Sequence, residues 1–255
     1  MKKKKGSISY FFMPFVFLLC LVLIIVTIYM RSVDTLADNY KASIDAANLS
    51  VTTFSLNDLL TNNILSISGK TYNDDTLHQD EKIAVENKFV EWEDTLQQNM
   101  GLTDDFNFSG GTCGWAGHNV ASGAAKVDYW VLYDFALSGI DSNGNYIYTV
   151  WKYSIKDVDK KTLEPKITKT AVKDNFGNLA VVVKTPLGND LSSNANIDGL
   201  HITGPTLKSK VSFPVKAPFG LGKYRNKEED TDNVSTFLNG NMVVSKTSTT
   251  SIENK

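Results

Sequence analysis

Cysteine is almost missing from this chain: Cys20 and Cys113 are the only two in 255 residues. Cys20 lies inside a long apolar run and Cys113 far outside it, so the two cannot pair within one chain. An exported chain that avoids disulfides fits a bacterial surface better than a eukaryotic secretory route. Asn48-Leu49-Ser50, Asn107-Phe108-Ser109 and Asn233-Val234-Ser235 are accordingly read as chance matches to the glycosylation pattern. Histidine is scarce too, with His78, His118 and His201 making up the 3 present. Charge of one sign is also lacking: the formal net charge is −2, so no basic field exists to attract nucleic acid. No repeat, phosphate loop or nucleotide fingerprint is visible, and neither a cofactor nor a metal is expected.

What the chain does have is a run without charge from Tyr10 to Met30. About 20 apolar residues rising roughly 1.5 Å each cover a bilayer core of about 30 Å. Lys2, Lys3, Lys4 and Lys5 precede the run, whereas Arg31 after it is mixed with Asp34 and Asp38. That bias sets the topology: N-terminus in the cytoplasm, and everything after Met30 outside. The expected location is the cell membrane, crossed once. A cleaved signal peptide has a shorter apolar core and a small-residue cleavage site, and neither is found here. A lipoprotein at Cys20 is excluded by Leu18 and Leu19, where small residues are needed. Pro14 falls early in the span, where a lost amide bond is easiest to tolerate.

Beyond the membrane the period is helical. Val33, Leu36, Tyr40, Ile44, Ala47, Val51 and Phe54 recur at steps of three and four, with charges between them. The spacing predicts a juxtamembrane amphipathic helix over 31–68, with a break possible near Asn48–Thr53 and a fresh cap at Ser55. Such a helix is a stalk, or else packs against copies of itself or against the domain's own sheet. Another helix is predicted from about Asp80 to Met100 within 80–101, stopped by Gly101. Ile83, Val85, Phe89, Trp92 and Leu96 form its apolar side. Glu81, Glu86, Glu91, Glu93 and Asp94 read as a solvated face, because no histidine stands at ligand spacing to them.

Phe106 to Gly123 holds five glycines together with Cys113, Trp115 and His118. A thiol hydrolase with Cys113 as nucleophile and His201 or His118 as base would need such a passage. The local pattern Cys113-Gly114-Trp115 does not match the C-G-x-C-W of papain-like enzymes. A glycine-rich loop with Trp115 against the core edge is the plainer reading, with Cys113 a possible free thiol.

From Lys126 the period falls to two, and a β-rich domain is expected over 106–249, with 250–255 frayed. Val127, Tyr129, Val131, Tyr133, Phe135 and Leu137 share one face of the first strand. Ile147, Thr149, Trp151, Tyr153 and Ile155 share one face of the second. The turn at Asp141-Ser142-Asn143-Gly144 sets the register. A two-residue loop would put Phe135 opposite Lys152. A three-residue loop, with Gly144 left-handed, pairs Phe135 with Trp151, Tyr133 with Tyr153 and Asp134 with Lys152. The three-residue loop is preferred. A second hairpin turns at Asp174–Asn178, between Lys166–Lys173 and Leu179–Lys184. Pro186–Ile197 reads as loop, and Leu200–Thr203 and Leu207–Val215 as strands. Pro214 and Pro218 confine the latter to an edge or end it. Lys223–Asp232 is a charged loop, and Asn241–Thr249 a closing strand.

A basic leader over 1–9, a glycine, an apolar helix continuing as an amphipathic one, and a mainly antiparallel β domain together resemble a pilin or pseudopilin. Lys2-Lys3-Lys4-Lys5-Gly6-Ser7-Ile8-Ser9 is similar to the K-x-G-S-I-S start of the Tad (tight adherence) pilus group, especially TadE-like pseudopilins, as is Pro14. Lys210 to Phe219 resembles the late V-x-Y-P-V-x-x-P-F strand of that group. The resemblance implies an α+β, pilin-like fold, leader processing between Gly6 and Ser7, and partners that are membrane lipid and other pilin-like or assembly subunits. It departs at Phe11, where pilin-like helices carry a glutamate. The expected function is a non-enzymatic structural or assembly component of a surface appendage or secretion system. The alternatives are an anchored binding or adhesion ectodomain and, more remotely, the Cys113 hydrolase.

Overall fold

The computed structural model describes residues 9–52, 65–108, 114–115, 118–119, 123–197, 199–216, 236–238 and 241–252. It is an α+β chain: one long apolar helix followed by a curled antiparallel sheet. Helix α1 (Ser9–Val51) runs unbroken for 43 residues with Pro14 inside it, a length of about 65 Å. Its outer half puts Val33, Leu36, Tyr40, Ile44, Ala47 and Val51 into the core, as their spacing predicts; Phe54 lies outside the described residues. The break allowed near Asn48–Thr53 is found, and residues 53–64 lie outside the described residues. Helix α1 stops at Val51, within the run of poor helix formers, and Ser66 to Thr71, at the end of the predicted 31–68 span, form an irregular turn. The cap at Ser55 falls outside the described residues.

Helix α2 (Gln79–Met100) begins at an N-cap on His78, whose backbone N–H donates to Glu81 Oε2 at 3.2 Å. It ends at Gly101, left-handed at φ 65°, which a residue with a Cβ adopts only with strain. It lies antiparallel to the outer half of α1, with Ser50 Oγ bonded to Thr95 Oγ1 and Ser43 Oγ to the Asn99 carbonyl. Val85, Phe89, Trp92 and Leu96 are buried as predicted, and Met100 joins them. Ile83 does not; it is exposed.

Among the described residues twelve strands follow: β1 (Gly114–Trp115), β2 (His118–Asn119), β3 (Lys126–Ile140), β4 (Tyr146–Val158), β5 (Thr168–Ala171), β6 (Val181–Lys184), β7 (Asp190–Ser193), β8 (Asn196–Ile197), β9 (Leu200–His201), β10 (Thr206–Lys216), β11 (Thr236–Leu238) and β12 (Asn241–Ser251). The main sheet runs β11-β12-β10-β3-β4-β6-β7, with β5 also paired to β4 and every pair antiparallel. Two expectations change here. The stretch read as loop at Pro186–Ile197 contains β7 and β8, and β12 carries on through Thr250 and Ser251, where fraying was expected. The Ile252 amide then donates to the Pro205 carbonyl at 3.0 Å. By sheet order β10 is interior, but at Pro214 only β12 still pairs with it; pairing to β3 has ended at Ser212. The proline thus sits at a local edge.

The β3–β4 turn is as predicted and the register beyond it is not. Gly144 has φ 81°, its amide donates to the Asp141 carbonyl, and the Asp141 amide donates to the Asn145 carbonyl. Gly139↔Ile147 and Ile140↔Tyr146 follow from that three-residue loop. At Ser138 a bulge intervenes, its hydroxyl bonded to the Ile147 carbonyl at 2.9 Å. Inward of it the pairing slips by one residue: Phe135 faces Val150, Tyr133 faces Lys152 and Asp134 faces Trp151. One slipped residue exchanges the faces of a strand. Trp130, Leu132 and Ala136 now lie with Trp151, Tyr153 and Ile155 beneath the two helices. Val131, Tyr133 and Phe135 face the opposite side, where they pack with Tyr148, Val150, Val182, Ala195 and Ile202. The sheet is thus buried on both faces.

Candidate functional site

The inner half of α1 differs from everything else in the chain. Phe12, Met13, Phe15, Phe17, Leu18, Leu19, Leu23 and Ile24 are all more than half exposed. The most apolar 18-residue window has a mean hydropathy of 2.8, and none of it is covered by the rest of the chain. One helix is therefore long and apolar enough to cross a membrane. Thr27 Oγ1 donates back to the Leu23 carbonyl at 2.8 Å, so that hydroxyl is satisfied within the helix and is compatible with hydrocarbon. Cys20 is an exposed free thiol on the same helix.

The sequence-predicted site residues fall mostly beyond view. Lys2, Lys3, Lys4, Lys5, Gly6, Ser7 and Cys113 lie outside the described residues. His118 belongs to β2, and His201 is exposed on β9. Among the described residues, no group of three or more His, Cys, Asp or Glu is placed to hold a metal ion.

Sequence reading missed the buried polar centres. Asn48, on α1, is fully buried: its Oδ1 accepts from Trp92 Nε1 at 2.8 Å and from Ser209 Oγ at 2.7 Å, while its Nδ2 donates to Ser248 Oγ at 2.9 Å. One amide thereby joins α1, α2, β10 and β12. Asp134 is buried in a nest made by the Ser66–Thr71 turn. It accepts from Ser66 Oγ at 2.7 Å, from the amides of Ile67 and Ser68 at 2.9 and 3.1 Å, and from Ser68 Oγ and Thr71 Oγ1 at 2.9 and 3.2 Å. Burial pushes its carboxyl up, against the downward pull of these donors. Ser68-Gly69-Lys70-Thr71 matches the end of a phosphate-binding loop, but Ile64 stands where the first glycine is required. The group in this nest is the chain's own Asp134 side chain, and Lys70 is left exposed.

The supposedly solvated acidic face of α2 is corrected at two positions. The Glu81 side chain is 0% exposed, and that of its partner Lys169 1%, with Nζ to Oε1 at 2.9 Å. Glu81 also accepts from the Tyr72 amide at 3.0 Å and Tyr153 Oη at 2.5 Å. Lys169 Nζ further donates to the carbonyls of Tyr72 and Thr76, and it stands 4.6 Å from the Trp151 ring centroid. Glu93 is buried as well. Its Oε2 accepts from the Thr162 amide at 3.3 Å, Oε1 has no partner among the described residues, and burial pushes its carboxyl up to about 8. Both acids face the sheet and the 160s loop rather than water, because α2 is covered on more than its apolar stripe.

Chemically these centres are closed. The acceptor positions of Asp134 and Glu81 are filled by donors of the same chain, and neither opens to a substrate. The sequence signal for them was faint: one acid between two aromatics in Asp134, and an acid three residues after a cap in Glu81. A cleft of about 260 Å³ lies between α1 and the end of α2, lined by Leu36, Tyr40, Ser43, Asn99, Met100 and others. It holds no charged side chain. The exposed apolar half of α1 is thus the feature with most to offer a partner. Comparison with known proteins finds no matching family model, no matching curated protein and no matching solved structure.

Proposed function

We propose that this chain is a non-enzymatic structural or assembly component of a bacterial surface appendage or secretion system. In this reading it is built like a TadE-type pseudopilin and held in the membrane by the inner half of α1. The N-terminus lies in the cytoplasm and the sheet domain outside. The observation that carries the reading is one uninterrupted helix with two burial regimes: uncovered and apolar all round through Ile28, buried along one stripe from Val33. A helix of that kind places its bare half in lipid, or among identical helices that replace lipid, and presents a folded domain at a fixed distance. The closed polar centres support a structural role rather than a catalytic one.

An anchored binding or adhesion domain is the second reading. It is favoured by Phe176, 89% exposed at the tip of the Asp174–Asn178 turn, and by exposed Ile140 and Leu187 on the neighbouring turns. Intact-mass measurement on membrane-extracted protein separates the two. A chain lacking residues up to Gly6 supports the pseudopilin route. An uncut chain that stays monomeric under cross-linking in the membrane supports the adhesion reading. Mature protein free in the medium and starting beyond Met30 overturns both.

A further inference from the structure

The junction between span and domain has no linker. Met30 is 45% exposed and Val33 is 4% exposed, three residues or about 4.5 Å further along the helix. Tyr29, still within the apolar run, already packs against the domain core. A stalk would have left several exposed turns here; there are none.

Two contacts fix how the sheet stands beside the helix. Asn48 is bonded to Ser209 at 2.7 Å, and Tyr40 meets Phe213 edge-on with ring centroids 4.6 Å apart. From Asn48 down to Tyr40 the helix descends about 12 Å. From Ser209 to Phe213 the strand descends about 13 Å. β10 therefore runs alongside α1 and toward the membrane. Three residues further, about 10 Å, Lys216 reaches the level of Val33. Its register partner Asn241, the first residue of β12, lies at the same level. The last apolar residue of the span is Met30, and a headgroup layer is about 5–7 Å thick on each side of the hydrocarbon.

From this geometry we propose that the membrane-facing end of the sheet, where β10 ends and β12 begins, rests in the phospholipid headgroup layer. The proposal rests on the membrane-anchor reading above. The occupant is a bilayer surface and not a second copy, because the end of the sheet is continuous with the span and reaches its level on every molecule, paired or not. A consequence is rigid coupling: with no flexible joint between Tyr29 and Val33, a tilt of the span tilts the sheet with it.

The test uses the full-length chain with Cys20→Ser and Cys113→Ser, reconstituted in phosphatidylcholine vesicles that carry a nitroxide on a fraction of the choline headgroups. A fluorophore is placed singly at Asn241→Cys, at Thr249→Cys higher on β12, or at Ser142→Cys in the β3–β4 turn. The Asn241 label is expected to lose most of its emission, the Thr249 label little and the Ser142 label none. Lys216→Cys serves as a second base position should Asn241→Cys fail to fold. Inserting seven alanines between Arg31 and Ser32 adds about two turns and lifts the domain by about 10 Å. Quenching at Asn241 should then fall to between the original Asn241 and Thr249 values, because Thr249 stands about 26 Å above Asn241 along β12. Equal quenching at base and turn in vesicle-bound protein overturns the proposal while leaving the anchor reading intact. Protein that does not float with the vesicles overturns the anchor reading itself, and this inference with it.

Discussion

The two halves of α1 belong to one continuous helix and meet different surroundings. Residues 12–28 are apolar on every side and uncovered by the domain, and Tyr29 is the first to touch its core; residues 33–51 are apolar on one stripe and nearly every stripe residue is buried. The difference is in amount as well as pattern: residues 12–30 carry no charge, whereas Asp34, Asp38, Lys41 and Asp45 stand between the stripe residues of 33–51. An all-round apolar surface needs a solvent that is itself apolar, whereas a stripe needs a second surface, which α2 and the sheet supply. The halves also treat polarity differently. The inner half turns the Thr27 hydroxyl back on its own backbone, while the outer half places Asn48 at the meeting point of four elements.

That contrast is most sharply tested at Asn48. Asn48→Ala removes one side chain and strands the indole N–H of Trp92 together with two serine hydroxyls, Ser209 and Ser248. The expected loss is about 3–4 kcal/mol of domain stability, read by denaturant unfolding of the full chain in detergent micelles. A loss under about 1 kcal/mol would mean that the amide is not a joint. Next in size is Ile44→Ala in the buried stripe, expected to cost about 3 kcal/mol. Leu21→Ala in the bare half serves as its matched control and should leave the unfolding midpoint unmoved. If both substitutions lower stability alike, the division of the helix is wrong.

Leu21→Arg reverses the sense of the comparison. It should leave the domain folded and weaken insertion by about 2.5–3.5 kcal/mol, seen as a larger carbonate-extractable fraction. Ile44→Arg, the same change placed in the stripe, should unfold the domain before any effect on insertion can be measured.

How much of this was legible in the sequence follows from the range of the interactions. The anchor, the stripe from Val33 to Val51, the stop at Gly101 and the left-handed Gly144 are all local patterns, and each can be read from residues a few positions apart. The register of β3 against β4 was set wrongly because one bulge at Ser138 decides it, and a bulge leaves no local mark in an alternating strand. The buried acids were out of reach for a related reason. Glu81 and Lys169 are 88 residues apart, and Asp134 and Ser66 are 68 apart. On α2, acids at positions 81 and 93 look no different from those at 86 and 91 until the sheet and the 160s loop are laid over them.

Glu93 offers the smallest effect and the most informative sign. Its carboxyl is raised to about 8 by burial, only partly offset by the Thr162 amide and the nearby Lys161. The folded chain therefore holds a proton there that the unfolded chain releases near pH 4.5. Between those two values the native state binds more protons than the unfolded one, so this residue's contribution to stability falls as pH rises and levels off above about 8. Glu93→Gln keeps the shape and cannot ionise. It should match the parent near pH 4.5 and exceed it by about 1–2 kcal/mol at pH 8, measured as thermal or denaturant midpoints across that range. A gain that grows with pH means that α2 covers a dry interior at this point, as the stripe of α1 does. A gain that is absent or independent of pH would return Glu93 to the solvated face that the sequence alone suggests, and α2 would then be dry on one side only.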